Sequence, residues 1–180
     1  LAKRRQAILF EMPIMLDGRI DLDYLKEISD RIKIIAFSSV ANVNGFQLSI
    51  SQLKPILTDE AIIIVDDSQK CAHEHLEQDP RIDCHVVNSH KMYGPKGIAG
   101  ALVSERLLSI MVPCMYGGGM VERIGFPNEW KKGTESFHYG TFDISAVVGW
   151  EAACRFIEQI GFDKIQKEEK VEKIKELKEG

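Results

Sequence analysis

The sequence has few cysteines, no long apolar run and no excess of positive charge, and each absence excludes a class of protein. Its 4 cysteines include no Cys-x-x-Cys pair, so neither a disulfide framework nor a structural zinc site is expected, and reduced thiols favour a cytoplasmic location. No stretch approaches the ~20 apolar residues that a membrane-spanning helix needs. The net charge of −4 gives no basic surface for nucleic acid. We therefore expect neither nucleic-acid nor membrane binding.

The apolar residues that are present form strand-like runs that alternate with helical or loop segments. Three such runs are "KIIAFSSV", "AIIIVDDSQ" and "DCHVVNSHK". The second lacks polar alternation, which is typical of a strand covered on both faces, as in a parallel sheet. The link from the third run to "GIAGALVS" is only residues 92–96, too short for a parallel crossover. We predict an α/β fold with a mostly parallel sheet, helices on both faces and one antiparallel strand.

The helices are predicted from cap residues that flank apolar periodicity. They are expected after Asp21 or Asp23, after Ser49 or Ser51 in "SISQLKPILTDE", after Ser104, and in "DISAVVGWEAACRFIEQIG" up to Gly161. A charged helix is expected over residues 163–180. The glycine-rich segment between residues 114 and 141 is predicted to be a long loop without regular structure.

Polar side chains follow three of the predicted strands at the point where each strand ends. Asn42 follows the first strand, Asp66 and Gln69 follow the second, and Asn88, Ser89, His90 and Lys91 follow the third. The carboxyl ends of parallel strands meet at one edge of a sheet, where ligands bind. A lysine there can form a Schiff base with an aldehyde, and a carboxylate can keep a heteroaromatic nitrogen protonated. Pyridoxal 5'-phosphate needs these two groups, while Gln69 suits its phenolic oxygen and His90 its phosphate.

Each of these residues has a simpler explanation when it is taken alone. Lys91 is then a surface lysine, Asp66 a helix cap or turn former, and His90 a structural histidine. Histidines near Cys71 and Cys84 leave a metal site as an alternative, although the spacing differs from the usual ligand sets, and we expect no metal. The prediction of a cofactor site therefore rests on the order and spacing of the whole set.

Five segments, in this order along the chain, resemble the class V aminotransferase family, whose members are pyridoxal-phosphate enzymes of fold type I. The segments are "ANVNG", "IIIVDDSQ", "DCHVVNSHKMYGPKGIAGALV", "GGGM" and "FHYGT". The likeness is greatest to the branch of cysteine desulfurases and selenocysteine lyases. It extends over nearly the whole chain, and the third segment is its most specific part.

The resemblance implies a role for each candidate residue. Lys91 would hold the cofactor covalently and move protons at the substrate α-carbon, Asp66 would bind the pyridine nitrogen, and Gln69 the phenolic oxygen. His90 would bind the phosphate, and Asn42 would lie near the ring and the substrate carboxylate. All of these roles are expectations that follow from the family likeness.

Three further features have implied roles. Thr141 would reach the cofactor phosphate of the neighbouring subunit in a homodimer, and Gly117–Gly119 would belong to a loop near the active site and the dimer contact. His73 would be mainly structural. The alternative for the three glycines is a flexible loop.

The chain departs from the family pattern at two places. Asn88-Ser89 stands where the family has Ser-Gly, so the phosphate-binding hydroxyl has either become an amide or moved by one residue. Asp67-Ser68 stands where the family has Gly-Ala. A second carboxylate would crowd an anionic site unless Asp67 points away from it.

Family members are much longer than these 180 residues, so we expect the chain to be an internal fragment. The resemblance implies that residues 1–162 are the central part of the cofactor-binding large domain and that residues 163–180 connect to a small C-terminal domain. That small domain would carry the arginine that binds the substrate carboxylate and the cysteine that takes the sulfur. Among the cysteines present, Cys84 and Cys154 are expected in the core, and Cys71 and Cys114 are expected to have no role.

The implied activity is that of a cysteine desulfurase, which converts L-cysteine to L-alanine and an enzyme-bound persulfide for iron–sulfur cluster assembly through a sulfur-acceptor protein. Selenocysteine lyase, aminotransferase or epimerase chemistry is the alternative within the family. A non-catalytic remnant is the alternative outside enzyme function. The presence of both Lys91 and Asp66 favours an enzyme-derived site. We expect the chain by itself to bind the cofactor weakly and to have little turnover.

Overall fold

The computed structural model describes residues 7–16 and 18–179, with side chains described as far as residue 170. Residues 1–6, Asp17 and Gly180 lie outside the described residues, and with them the beginning of the predicted unit 1–162 and the end of the predicted unit 163–180. The helices are α1 (Leu22–Ile28), α2 (Ile50–Leu53), α3 (Glu105–Ile110), α4 (Ile144–Ile160) and α5 (Phe162–Glu179). The strands are β1 (Ile34–Ser38), β2 (Ile62–Asp66), β3 (Cys84–Asn88), β4 (Ala99–Val103), β5 (Val121–Arg123) and β6 (Glu129–Trp130). Among the helices in these ranges, none has the length and apolar character that crossing a bilayer requires.

Strands β1 to β4 form one sheet in the order β1-β2-β3-β4. The pairs β1–β2 and β2–β3 are parallel, whereas β4 runs antiparallel to β3. This arrangement confirms the predicted mostly parallel sheet with one antiparallel strand. Ser38 lies opposite Asp66, and Asp66 lies opposite Val86. The three parallel strands therefore end close to one another, and the polar residues that follow them lie at one edge of the sheet.

The main hydrophobic core packs one side of this sheet against the first two helices. Ile63 and Val65 of β2 are buried in the same cluster as Leu25 of α1 and as Ile50 and Leu53 of α2. Burying one such aliphatic side chain contributes about 1.5–3 kcal/mol. Because side chains alternate along a strand, the residues between Ile63 and Val65, and after Val65, point to the opposite side. The core therefore fixes the direction in which the end of β2 presents its carboxylate.

Helices α1, α2 and α3 begin after cap residues that the sequence predicted. Backbone N–H groups of the first turn donate to the side chains of Asp21, Ser49 and Ser104, and α4 ends at Gly161 with φ of 80°. The prediction for "SISQLKPILTDE" is wrong in length, because α2 ends at Leu53. Pro55 has no N–H to donate to the preceding turn, and its ring clashes with continued helix.

The prediction of a structureless loop between residues 114 and 141 is also wrong in part. Strands β5 and β6 form a small antiparallel hairpin, flanked by 3₁₀ turns at Gly118–Met120 and Gly133–Phe137. A Cβ atom at Gly117 would lie 2.1 Å from the backbone oxygen of Tyr139, and one at Gly119 would lie 2.3 Å from that of His138. The glycines thus allow two backbone segments to pack together, so they are more than a flexible loop.

The buried carboxylate of Asp83 and the half-exposed guanidinium of Arg106 tie together the opposite, amino-terminal ends of β2 and β3. The Asp83 carboxylate is 2% exposed and accepts from the Ile63 N–H at 3.0 Å, from the Ser104 hydroxyl at 2.9 Å and from the Arg106 guanidinium. Arg106 also donates to the backbone oxygens of Asp59 and Ala61, both at 3.0 Å. Burial favours a raised pKa for Asp83, but the bonds from Arg106, Ile63 and Ser104 outweigh it and hold that pKa below its usual value.

Candidate active site

The end of β2 presents an exposed carboxylate at the carboxyl edge of the sheet. Asp66 is the last residue of β2, and its Oδ1 accepts from the Ser68 N–H at 2.9 Å. Its backbone oxygen accepts from the Ser39 N–H at 3.0 Å, which joins the end of β2 to the segment after β1. The carboxylate is thus held in one orientation by a local turn while it remains open to a ligand.

A tight turn after β3 presents the lysine. Residues Ser89–Lys91 form a 3₁₀ turn in which the N–H groups of Met92 and Gly94 donate to the Ser89 oxygen at 2.8 and 3.0 Å. Tyr93 has a positive φ of 61°, a conformation that is uncommon for a bulky residue. The chain therefore reverses sharply into β4 just after Lys91. Lys91 is half-buried and lies at the end of β3, next to Asn88, Ser89 and His90.

Two predicted residues from different loops contact each other. The Gln69 side-chain amide donates to the Asn42 side-chain oxygen. Asn42 follows β1 and Gln69 follows β2, so the parallel pairing of these strands brings them together. The polar residues that follow the first and the second predicted strand are thus in contact at this edge of the sheet.

A cavity of about 350 Å³ adjoins the end of β3. It is lined by Asn88, His90, Lys96, Gly97, Ile98 and Ala99. His90 Nδ1 donates to the Asn88 side-chain oxygen at 2.6 Å, which leaves the amide nitrogen of Asn88 as a donor. An ammonium group, an imidazole and an amide around one cavity suit an anion with several acceptor oxygens, such as a phosphate. Lys96 is the member of this set that the sequence reasoning missed.

Ser89, between Asn88 and His90 in the sequence, is not accessible in the way that these two neighbours are. Its side chain is fully buried, and its hydroxyl has no hydrogen-bond partner among the described residues. A Cβ atom at Gly94 would lie 2.3 Å from the Ser89 Oγ, so the returning chain covers the hydroxyl. This geometry does not offer the Ser89 hydroxyl to a ligand. Of the two alternatives for the altered pair, it favours the one in which the hydroxyl has become the amide of Asn88 over the one in which the hydroxyl has moved to Ser89.

The second carboxylate after β2 points away from the exposed edge. Asp67 is 1% exposed, and its Oδ2 accepts from His85 Nδ1 on β3 at 2.6 Å. Asp66 and Asp67 therefore lie on opposite sides of the sheet, so Asp67 does not crowd the site. The sequence predicted that Asp67 needed to point away, but nothing in it identified His85 as the partner.

Thr141 lies in the exposed segment before α4 and is not among the residues that line the cavity at Asn88 and His90. Its side chain is free to face another molecule. His73, expected to be mainly structural, contacts Glu169 of α5 through its Nδ1, and its backbone oxygen accepts from the Gln166 side chain at 3.3 Å. His73 thus links the segment after β2 to α5.

The comparisons with known proteins agree with this arrangement. The family model described as aminotransferase class-V matches residues 1–179. The chain belongs to the class-V aminotransferase family. A probable cysteine desulfurase of Staphylococcus aureus is 34% identical over 173 residues, which are 94% of this chain and 42% of the relative. One from Halalkalibacterium halodurans is 34% identical over 94% of this chain and 43% of its own length. The chain therefore spans less than half the length of these relatives.

Solved structures of the family have the same fold. The apo cysteine desulfurase of Thermococcus onnurineus superimposes with a TM-score of 0.83 at 26% identity, over 97% of this chain and 45% of that one. The cysteine desulfurase CsdA of Escherichia coli gives 0.81 at 24% identity, over 91% of this chain and 42% of that one. The second likeness bears on the fold alone. Together they identify the sheet as part of the fold type I architecture.

Class-V aminotransferases use pyridoxal 5'-phosphate, and the residues of this chain fit that group chemically. An exposed carboxylate (Asp66), a primary amine (Lys91) and an anion-binding cavity beside His90 lie at one edge of the sheet. These groups match a ring nitrogen, an aldehyde and a phosphate. The Gln69–Asn42 amide pair lies at the same edge and supplies further hydrogen-bond donors.

Three of the four cysteines lie in surroundings that disfavour an activated thiol. All four are free, and Cys84 is buried as predicted, whereas Cys154 is exposed, so the expectation that Cys154 lies in the core is wrong. Cys71 is buried, and its expected lack of a role stays a prediction. Burial raises the thiol pKa of Cys71 and Cys84, and the partial covering of the Cys154 thiol raises its pKa as well, whereas a nucleophilic thiol needs a lowered pKa. Within the described ranges, no group of three or more His, Cys, Asp or Glu side chains is placed to hold a metal ion.

Proposed function

We propose that this chain is the central, cofactor-binding part of a pyridoxal-phosphate-dependent cysteine desulfurase. The observation that carries the proposal is the placement of Asp66 and Lys91 at the carboxyl ends of adjacent parallel strands. The 34% identity to probable cysteine desulfurases supports the choice of reaction. The overall change would be L-cysteine to L-alanine, with the sulfur left on an enzyme cysteine as a persulfide.

When bound, pyridoxal phosphate supplies an electron sink for the negative charge that develops at the substrate α-carbon. Asp66 would keep the ring nitrogen protonated through a charge-assisted hydrogen bond. The Lys91 amine would hold the cofactor until a substrate amine replaces it, and would then take the proton from the α-carbon. Asn88 and His90 would hold the phosphate, while Gln69 and Asn42 would orient the ring.

The remaining parts of the reaction are proposed to lie outside this chain. With three of the four thiols held at raised pKa and none matching the family nucleophile, the acceptor cysteine and the substrate arginine would belong to a small domain that follows residues 163–180. Transfer of the persulfide sulfur to an acceptor protein, and from there to iron–sulfur clusters, belongs to the same proposal. Free cysteines support a cytoplasmic location.

A homodimer is also part of the proposal. Ile124 and Phe126, in the turn between β5 and β6, are exposed apolar side chains, and exposed apolar patches mark interaction surfaces. Thr141 is exposed as well, which is what a role at the neighbouring subunit's phosphate requires. Analytical ultracentrifugation of the parent and of a Phe126→Ser variant tests this: a dimer that the variant weakens supports the proposal, and a parent that stays monomeric contradicts it.

The first test of the cofactor site is an absorption titration with pyridoxal phosphate. The parent is compared with Lys91→Ala and with a matched control, Lys33→Ala, whose lysine is an exposed partner of Glu60 before β1. A visible band that needs Lys91 but not Lys33 supports the site. A band that survives in Lys91→Ala, or no band in any chain, contradicts it and favours a non-catalytic remnant. In the longer protein, alanine formation from L-cysteine against L-selenocysteine separates desulfurase from lyase.

A further inference from the structure

The Asp67–His85 pair has no part in the proposed chemistry, although it lies next to Asp66, on the opposite side of the sheet. Asp67 is covalently next to Asp66, and its carboxylate is 1% exposed. His85, on β3, is 14% exposed and contacts Asp67 at 2.6 Å. A buried carboxylate is costly unless it is paired and hydrogen-bonded. Because the Asp67 carboxylate is buried, a role as an ordinary charged surface residue does not explain its place beside the site.

The backbone of Asp67 is as firmly held as its side chain. The Asp67 N–H donates to the Val86 oxygen at 2.9 Å, which adds one rung to the β2–β3 ladder beyond Asp66. The Asp67 oxygen accepts from the N–H groups of Lys70 and Cys71, both at 2.9 Å. These bonds form the turn that carries Gln69. With the His85 contact, they fix the backbone on both sides of Asp66.

The pair also connects the two halves of the site. His85 lies on the same strand as Asn88, and that strand runs into the turn that presents Lys91. Asp67 lies between Asp66 and Gln69. A side-chain bond between Asp67 and His85 therefore joins the carboxylate-bearing end of β2 to the lysine-bearing end of β3, on the side of the sheet opposite to the cofactor groups.

We propose that Asp67 and His85 are positioning residues that hold Asp66 and Gln69 in place relative to Lys91, and that His85 also keeps the second carboxylate turned away from the cofactor. This inference rests on the proposed cofactor site. Without His85, the Asp67 carboxylate loses its buried partner, and rotating out towards solvent requires the turn over residues 67–71 to open. That opening displaces Gln69 and frees the end of β2.

The test uses the whole chain and compares cofactor binding with stability. The disruptive variant is His85→Phe, and the conservative variant is His85→Gln, which keeps a donor for Asp67. The double variant Asp67→Ala/His85→Phe also removes the carboxylate that His85→Phe leaves without its partner. A matched control, Arg106→Met, removes the guanidinium partner of the buried Asp83 carboxylate at the opposite end of the same strands. For each chain, the Kd for pyridoxal phosphate and the Lys91-dependent visible band are measured where circular dichroism shows a folded protein.

We expect His85→Phe to raise the Kd for pyridoxal phosphate by about tenfold and to weaken the band, which is the lower end of the loss seen when partners that orient metal ligands are removed. His85→Gln and the double variant should recover part of the affinity, while Arg106→Met should lower the melting temperature and leave Kd unchanged. An unchanged Kd in His85→Phe, or an equal rise in Arg106→Met, overturns the inference but leaves the cofactor site intact. A parent without a Lys91-dependent band overturns the cofactor site itself. If His85→Phe does not fold, an unchanged Kd in Asp67→Ala overturns the inference.

Discussion

Replacing Ser89 by alanine is expected to stabilise the chain, although most buried substitutions destabilise proteins. The Ser89 hydroxyl is fully buried and has no hydrogen-bond partner among the described residues. Leaving a buried polar group unsatisfied costs about 1–3 kcal/mol. Alanine removes the oxygen and keeps the Cβ, so the cavity it creates is smaller than a methyl group. We expect a gain of about 1 kcal/mol, or a rise of about 2–4 °C in melting temperature for a chain of this size.

The assay is equilibrium urea unfolding of the parent, Ser89→Ala and Ser39→Ala. Ser39 is a matched control because it is also buried, but its hydroxyl donates to the Asp66 oxygen at 3.4 Å. Ser39→Ala should therefore lower the urea midpoint slightly, while Ser89→Ala should raise it. A lower midpoint for Ser89→Ala would refute the reasoning, since it would mean that the hydroxyl has a partner.

The same variant distinguishes two roles for Ser89. If its hydroxyl bound the cofactor phosphate, Ser89→Ala would raise the Kd for pyridoxal phosphate but leave the Kd for pyridoxal, which lacks the phosphate, unchanged. The buried position predicts no change in either. Asn88→Ala, which alters the accessible neighbour of His90, should weaken binding of pyridoxal phosphate alone.

Two further predictions concern stability. The pKa of Asp83 is lowered in the folded chain, so its ionised form stabilises the fold above the ordinary carboxyl pKa of about 4. This stability is lost as pH falls through the lowered pKa. Urea unfolding between about pH 2 and 5 should therefore show a steeper loss of stability for the parent than for Asp83→Asn. Gly117→Ala should destabilise the chain by roughly 1–3 kcal/mol, because a Cβ atom would lie 2.1 Å from the Tyr139 oxygen. The control is Gly118→Ala, which should be close to neutral because its Cβ atom would meet nothing within 4 Å. Equal urea midpoints for these two variants would contradict the packing argument.

The features that the sequence predicted well are those set by local pattern. Continuous apolar runs identified the strands, and the short link after Lys91 required an antiparallel β4, because no parallel crossover fits in it. Strand order then followed from pairing of neighbours, which placed Asp66 and Lys91 at one edge. The cap residues succeeded for the same reason, since capping acts within one turn of helix.

The features that failed depend on contacts between distant segments. Ser89 is buried because Gly94, which lies against Trp150 of α4, packs closely against it, and no local pattern encodes the approach of α4 to Gly94. The sequence showed that Asp67 would crowd the site unless it points away, but it did not reveal that His85 on another strand contacts the Asp67 carboxylate. The hairpin strands β5 and β6 are too short to show a period of two residues.

Cys154 was misplaced for a related reason. It is three residues before Ile157, a spacing that puts two side chains on one helix face, and Ile157 is buried. The buried face of α4 instead includes Ala146 and Ala153, so it passes beside Cys154. Which edge of a helix face is covered depends on the element packed against it.

The link between β3 and β4 has a consequence for the order in which the site assembles. Residues 89–98 close a hairpin between neighbouring strands, whereas β1–β2 and β2–β3 pair across residues 39–61 and 67–83. Closing a short local loop costs less chain entropy, and local contacts form faster than distant ones. The turn that presents Lys91 therefore forms early in folding, and Asp66 joins it only when the parallel strands pair. Cofactor capture during refolding would consequently report the late, parallel pairing of β2 with β3 rather than the initial collapse of the chain.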